Sequence, residues 1–406
     1  MSERGQNASM LLIGNSGNRR TLGLQEARCR WGLPPAVLVT YTELLEAEEA
    51  GGETISRLLA ARLPQVQDQG LLIRLDAPGE QADVERSLIG LGAYDRDGDD
   101  SLLPSAIAAG YMGISSAQAA SLPQEEGRIY YPGQWFRGYC RLLAILRREA
   151  LRLWPGARWV NAPEDIAVMF DKRACQQRLT ECGIDIPRRL AAGLGIGSYE
   201  QMIAHMQQER MNRLFLKLAT GSGASGVIAY QRHPLTGAEK AVTTIGIEHR
   251  GGERILYNSG RLKQYTDHAA IRDIVEWLCG EGLQAEEWIP KAEAEGCSFD
   301  IRQLVVAGRA CHRIARLSRS PITNLHLRNR RLPVEQTGLP LEHIEQASQI
   351  AEAALAAFPD STVAGIDVLV RSGSRRPYII DVNPFGDLLY RVAHEGLNPY
   401  EWQMKP

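Results

Sequence analysis

One segment constrains this chain more than any other: Arg213-Leu-Phe-Leu-Lys217-Leu-Ala-Thr-Gly221-Ser-Gly223-Ala-Ser-Gly226-Val-Ile-Ala-Tyr230. It contains a literal G-x-G-x-x-G, but a dinucleotide-binding turn must open a helix, and here β-branched Val-Ile-Ala-Tyr follows. Strand, glycine loop, strand is the expected order. That makes a hairpin flap whose amides can close over phosphates, because glycine lets the main chain approach an anion without a Cβ in the way. Lys217, central in an apolar strand, is costly to bury unpaired, and a phosphate is its natural partner. The plainer alternative is a flexible hairpin with a snorkelling lysine. In a protein kinase the lysine follows the glycine loop, and the H-R-D and D-F-G signatures are missing here. The P-loop pattern G-x-x-x-x-G-K-[ST] is absent too.

Two apolar strands near the C-terminus carry a second signal. Val363-Ala-Gly-Ile-Asp367-Val-Leu-Val370 and Tyr378-Ile-Ile-Asp381-Val-Asn383 flank the turn-rich Arg371–Pro377. A hairpin turning about residue 374 sets Asp367 directly across from Asp381, with Asn383 on the same face because side chains alternate. Facing carboxylates repel in an apolar sheet unless a cation sits between them. Two carboxylates and an amide oxygen suit Mg²⁺. A solvated face or a carboxyl dyad of raised pKa are the alternatives.

The rest of the chain sets bounds. At 406 residues two or three domains are expected, and a balance of 46 basic against 48 acidic side chains excludes a globally basic nucleic-acid coat. Seven cysteines without metal-ligand spacing read as reduced, mostly buried thiols. The start of the chain lacks a basic, apolar secretory leader, and no apolar run approaches the roughly 20 residues that cross a bilayer. The expectation is a cytoplasmic protein with neither membrane nor nucleic acid as partner.

In the N-terminal third, Met10–Ile13, Ala36–Thr40 and Leu71–Leu75 read as strands, and Thr21–Trp31 reads as a helix between the first two, the opening of a parallel αβ unit. Gly14-x-x-Gly17 is not a dinucleotide fingerprint. Arg74, inside an apolar strand, needs either an anionic substrate or a structural acid. Asp95–Asp100 lacks the closing glutamate of a calcium loop and reads as a solvated turn. Phe136–Trp154 is a long amphipathic helix, and a boundary falls between about 128 and 160. Asn161 is a candidate helix cap ahead of Pro163. Asp171-Lys172-Arg173 begins or continues a helix that runs to Gly183.

Ala285-Glu286-Glu287-Trp288-Ile289-Pro290 reads as a strand entering a turn. Between Ile301 and Val334 stand eight arginines and neither Asp nor Glu, a strong local asymmetry. A strand and tight turn at Leu304–Gly308 would aim Arg302 and Arg316 at one face. Phosphate, carboxylate or nucleic acid are the targets such a surface allows, although few aromatics interleave to stack bases.

Taken in order, Asp171-Lys172, Lys217 with its glycine loop, Glu286–Ile289, Asp300-Ile-Arg302, Asn324-Leu-His326, Asp367 and Asp381-Val-Asn383 resemble the ATP-grasp superfamily, and within it the ribosomal-protein glutamate ligases and related peptide ligases. The resemblance covers about residues 160–390. It implies an α/β protein, α+β in its C-terminal part. Residues 1–155 would form a Rossmann-like parallel αβ domain that helps bind substrate. Residues 156–406 would form an ATP-grasp fold clasping ATP between two subdomains, with its flap at 217–230 and its metal hairpin at 363–383.

The resemblance further implies that Lys172, Lys217, Gly221, Ser222, Gly223 and Gly226 contact ATP phosphates, that Glu286, Glu287, Trp288 and Ile289 frame adenine and ribose, and that Asp367, Asp381 and Asn383 hold one or two Mg²⁺ ions, or Mn²⁺. Arg302, Arg316 and Asn324 would stabilise the transferred phosphoryl group or acyl phosphate. The implied activity is a carboxylate–amine ligase acting on small-molecule or peptide substrates. Aspartate at 381, where the family more often has Glu, and the continuation Pro384-Phe-Gly-Asp387 depart from the ligases. The latter resembles the inositol-phosphate kinases of the same superfamily, so a small-molecule kinase and a non-catalytic nucleotide binder are the alternative readings.

Overall fold

The computed structural model describes residues 9–51, 53–64, 70–104, 113–221, 225–251, 253–323 and 329–405. The first elements alternate: β1 (Met10–Gly14), α1 (Arg19–Arg30), β2 (Val37–Thr40), α2 (Tyr41–Glu49), α3 (Thr54–Arg62), β3 (Leu72–Leu75), α4 (Ala82–Leu91), α5 (Ser116–Ala120), α6 (Pro132–Leu153) and β4 (Arg158–Trp159). The four strands form one parallel sheet in the order β2-β1-β3-β4. Local chemistry sets the helix starts. Asn18 caps α1, and Thr40 with Glu43 forms a reciprocal capping box on α2. The buried face of α6 carries Phe136, Tyr139, Leu142, Leu143 and Leu146 into the core over this sheet.

The helices α7 (Pro163–Phe170), α8 (Lys172–Glu181) and α9 (Tyr199–Gln208) lead to a five-stranded antiparallel sheet. Its strands are β5 (Arg213–Leu218), β6 (Val227–Arg232), β7 (Glu239–Arg250), β8 (Glu253–Tyr265) and, beyond α10 (His268–Glu281), β9 (Leu283–Glu287), ordered β8-β7-β6-β5-β9. We call it the flap sheet. The last sheet holds β10 (Glu293–Ala294), β11 (Cys297–Val306), β12 (Arg309–Ser318), β13 (Arg330–Leu332), β14 (Val363–Val370) and β15 (Pro377–Asn383), with α11 (Leu341–Ala356) packed on it. Its order is β13-β12-β11-β14-β15. The tight β11–β12 turn puts Ala307 and Gly308 at positive φ, 49° and 76°, as two-residue hairpin loops require. Helix α12 (Pro399–Met404) returns to pack on α1: Arg30 pairs with Glu401 at 2.5 Å, and a Cβ on Gly23 would stand 2.9 Å from the Tyr400 ring.

Several local expectations are corrected. Ala162, not Asn161, is the N-cap of α7. The buried Asn161 amide instead donates to the Val363 carbonyl at 2.7 Å and accepts from the Thr362 and Val363 amides, each at 3.0 Å, tying this segment to β14. The stretch Asp95–Asp100 is the solvated turn expected, with Asp95, Asp97 and Asp99 exposed, but its last acid, Asp100, is anchored by Arg137 and Arg141 of α6. Arg74 takes the structural option, with its Nε 2.9 Å from Asp76. Of the seven cysteines only Cys140, Cys175 and Cys311 are buried, and all seven are free thiols. No described helix is long and apolar enough to cross a membrane.

Candidate active site

The flap sheet and the sheet bearing β14 and β15 meet along one seam, and alternation along β5 and β9 decides what faces it. On β5, Phe215 pairs with Glu286 and Lys217 with Gln284, so these four share a face. Lys217, 9% exposed, is held by contacts from both sheets. Its Nζ lies 2.5 Å from Glu286 Oε1 and donates to the Ile380 carbonyl of β15 at 3.2 Å. Glu286 in turn accepts from Gln176 of α8 at 2.6 Å and from Gln284 at 2.9 Å.

A second lysine arrives from the other side. Asp171 caps α8 by accepting from the Arg173 amide, which places Lys172 in the first turn. The Lys172 Nζ donates to the Gly221 carbonyl at 2.7 Å and stands 3.6 Å from Asp381 Oδ1. It therefore joins the root of the glycine flap to the acid hairpin. The flap pairs as expected, Lys217 opposite Val227, and Gly226 closes its root at φ +69°, accepting from the Leu218 amide at 3.0 Å. Ser222, Gly223 and Asn324 lie outside the described residues.

The β14–β15 register is the expected one at the acids: Asp367 faces Asp381, and Gly365 faces Asn383. A bulge between Asp367 and Val368 then shifts the pairing by one residue toward the turn. Gly365 allows a close approach, since a Cβ there would stand 2.9 Å from the Gly386 carbonyl oxygen. Arg302 lies opposite Asp367 on β11, and Arg316 lies opposite Asp300. The result is a row of alternating charge across three strands. Lys291 stands 3.4 Å from Asp300; Arg316 reaches Asp300 at 2.7 Å and Asp367 at 3.0 Å; Arg302 reaches Asp367 at 2.8 Å and Asp387 at 3.3 Å. Thr323 hydrogen-bonds both Asp300 and Lys291.

Charge follows this arrangement. Burial opposes ionisation of Asp381, yet Lys172, Lys217, Arg302 and Arg316 outweigh it and hold that carboxyl below its ordinary range. Asp300 is likewise held low against burial by Arg316 and Lys291. Asp367 goes the other way: burial pushes it up against the pull of Arg302 and Arg316, with Asp300 and Asp381 adding to the rise. Burial lowers Lys291, with Asp300 resisting.

These side chains fit a hard divalent cation. Asp367 Oδ1 is buried and accepts no aligned hydrogen bond although Arg302 Nε is near. The Asn383 amide donates to the Gly365 carbonyl at 2.9 Å, which leaves its oxygen as the chemically suitable donor. Among the described residues no group of three His, Cys, Asp or Glu converges as a metal cluster, so the set needs the amide as its third member.

The segment expected to frame a nucleoside base is split by alternation. Glu286 points into the seam. Trp288 lies edge-on to Phe215 with ring centroids 5.4 Å apart, and Ile289 is buried. Glu287 turns outward, 3.8 Å from Arg188. The amides of Glu287 and Trp288 already donate to the Arg188 and Arg213 carbonyls. Of the arginine-rich segment, Arg302 and Arg316 reach the seam, whereas Arg313 and Arg330 pair with Glu335 and Glu295.

Sequence reading passed over Gln176, Gln284 and Lys291, and took Asp387 only as part of the departing continuation Pro384-Phe-Gly-Asp387. The two glutamines were recoverable, since Gln284 is two residues before Glu286 on one strand and Gln176 four residues after Lys172 on one helix. Nothing local distinguishes Lys291.

No family model and no curated protein matches the chain. Among solved structures, a biotin carboxylase–β,γ-ATP complex from Campylobacter jejuni is similar over 98% of this chain and 70% of that one, at 11% identity and a TM-score of 0.51. The D-cycloserine synthetase DcsG covers 98% of each chain at 11% identity and 0.49. A D-alanine–D-alanine ligase from Bacillus anthracis complexed with ATP covers 95% and 89% at 12% identity and 0.45. At these identities the likeness is one of fold, and the first of the three carries it: the chain has the ATP-grasp fold.

Proposed function

We propose that this ATP-grasp chain is an ATP- and Mg²⁺-dependent carboxylate–amine ligase. The observation that carries the reading is the convergence of Lys217, Lys172, Arg302 and Arg316 on the facing pair Asp367 and Asp381, at the root of a glycine flap. Lys172 and Lys217 hold the phosphates, the flap amides close over them, and Glu286 with Gln284 and Gln176 keeps Lys217 aimed. On this reading Trp288 and Ile289 line the base, and the ribose falls to Glu287 at the outer edge of the strand, beside Arg188. Asp367, Asp381 and Asn383 would hold Mg²⁺, which neutralises phosphate charge when bound.

A substrate carboxylate oxygen attacks the γ-phosphorus and the bond to the ADP oxygen breaks, giving an acyl phosphate. An amine nitrogen then attacks the acyl carbon, the C–O bond to phosphate breaks, and the amine loses a proton. Arg302 and Arg316 steady the charge on the phosphoryl oxygens, so positioning and electrostatics supply most of the rate. The N-terminal residues 1–155 contribute to the acceptor side.

The test is ADP release in pooled carboxylates and amines, with mass spectrometry of the product. An amide linked to ADP formation supports the ligase; a phosphorylated small molecule without an amide would establish the kinase instead. Nucleotide binding with no turnover in any pool would overturn both.

A further inference from the structure

Behind the flap sheet, on the side away from the seam, a cavity of about 370 Å³ lies between the end of α9, the start of β5 and the turn after β6. Its floor is apolar. Met206 and Met211 belong to the core that covers Leu214, Leu216 and Tyr230, whereas Phe215 and Lys217 alternate to the opposite face of the same sheet. Ile203 and Pro234 extend the apolar lining, and Arg210 and Arg232 add two guanidinium groups to it. Among the described residues no carboxylate lines this space.

Among the described residues neither guanidinium makes an ion pair or a side-chain hydrogen bond, and the acids beside them are engaged elsewhere. Glu239, opposite Arg232 on β7, accepts from the Tyr199 and Tyr230 hydroxyls and stands 2.8 Å from His268 Nδ1. Glu209, next to Arg210, accepts from the Ala191 amide at 2.8 Å. A smaller cavity of about 250 Å³ beside Trp154 differs in this respect, because its arginine, Arg147, pairs with Glu164 at 2.8 Å. Arg210 also departs from local preference. The Met211 amide donates to the Met206 carbonyl at 2.9 Å and the Arg210 amide to the Gln207 carbonyl at 3.3 Å, the paired bonds of a Schellman helix end, whose left-handed residue is most often glycine. Here Arg210 takes that position, at φ +54°, so a long cationic side chain is kept where the backbone favours none.

Unpaired guanidinium groups around an apolar floor select an anion carried on an apolar body. The head takes charge-assisted hydrogen bonds, and the thioether chains of Met206 and Met211 adapt to the shape of the body. A carboxylate matches the planar guanidinium fork, and a volume near the lower end of ligand sites restricts the body to a compact one. We propose that this cavity is a second ligand site, separate from the seam, for a small carboxylic acid with an aromatic or branched apolar body, its carboxylate held by Arg210 and Arg232. The site takes no part in the proposed chemistry, and its test needs no turnover.

The probe is 4-phenylbutyrate, titrated calorimetrically into the full chain. Wild type is expected to bind it saturably below about 10 mM, and to bind acetate, which lacks the body, and 4-phenylbutyramide, which lacks the charge, at least about tenfold more weakly. Arg232→Gln weakens the acid at least about fivefold, the loss of one charge-assisted contact. Arg210→Gly weakens it to a similar degree yet unfolds in urea no earlier than wild type, because glycine takes the left-handed conformation freely, so that lost binding is told apart from lost folding. No saturable binding by wild type, equal binding by wild type and either variant, or an amide that binds as tightly as the acid overturns the proposal.

Discussion

The Lys217 Nζ on the flap sheet donates to the main-chain carbonyl of Ile380 on the opposing sheet at 3.2 Å, one residue before Asp381. A single ammonium thereby bridges the two sheets at the point where their charged faces meet, with Glu286 as its counter-ion at 2.5 Å. On the proposed function a ligand phosphate in the seam would meet this cation already in place.

Replacing Lys217 by Met removes that cation and leaves Glu286 buried without it. Affinity for Mg²⁺–ATP is expected to fall at least tenfold, about 1.4 kcal/mol, as read by nucleotide titration. The variant Lys217→Met/Glu286→Gln, which restores neutrality, should recover stability in urea but not nucleotide affinity.

Asp367→Asn deprives Arg302 and Arg316 of a shared carboxylate. ADP release in the substrate pool that supports wild type should drop by about 10²–10³-fold. Unfolding stays cooperative but its midpoint moves down by a few degrees, because two guanidinium groups lose a partner. Unchanged ADP release would remove Asp367 from the chemistry.

Asp300 offers a stability test independent of turnover. With Arg316, Lys291 and Thr323 all pointed at it, Asp300→Ala should cost about 3–5 kcal/mol in urea unfolding, the penalty for stranding buried cations. Adding Lys291→Met should return part of that loss. Additive losses in the double variant would contradict the pairing.

Glu281 predicts a pH effect. It ends α10 and accepts from the Gly133 amide at the start of α6 at 3.2 Å, and burial pushes its carboxyl up to about 7, with that amide pulling back. Between the ordinary value of 4.5 and about 7 the folded chain holds a proton that the unfolded chain has shed. Stability from this group is therefore full at low pH and declines as pH rises through that window, by at most ~3 kcal/mol. Glu281→Gln should flatten the slope relative to wild type. The comparison matters because Glu85, also pushed up to about 7 by burial, titrates in both.

Much of the site lay in the chain's local pattern. Alternation alone put Asp381 and Asn383 on one face, and a turn near 374 put Asp367 opposite Asp381, as the structure has it. The bulge that follows was not legible, since a one-residue slip leaves composition unchanged. The assignment of Asn161 as a cap went astray for a similar reason: an Asn before Pro suits a helix start, but β14, some 200 residues on, offered its amide better-placed partners.

Periodicity, turn residues and mid-strand charges are short-range properties, and they were enough to specify the flap hairpin, the acid hairpin, the parallel N-terminal strands and the placing of Arg302 and Arg316 on one face. Which cation answers which acid is a long-range matter. Lys291 meets Asp300, Arg302 is divided between Asp367 and Asp387, and α12 comes back to α1. Such pairings arise when sheets close on one another, because a buried charge takes whichever opposite charge the packing brings within reach, and nothing in its neighbours along the chain encodes that distance.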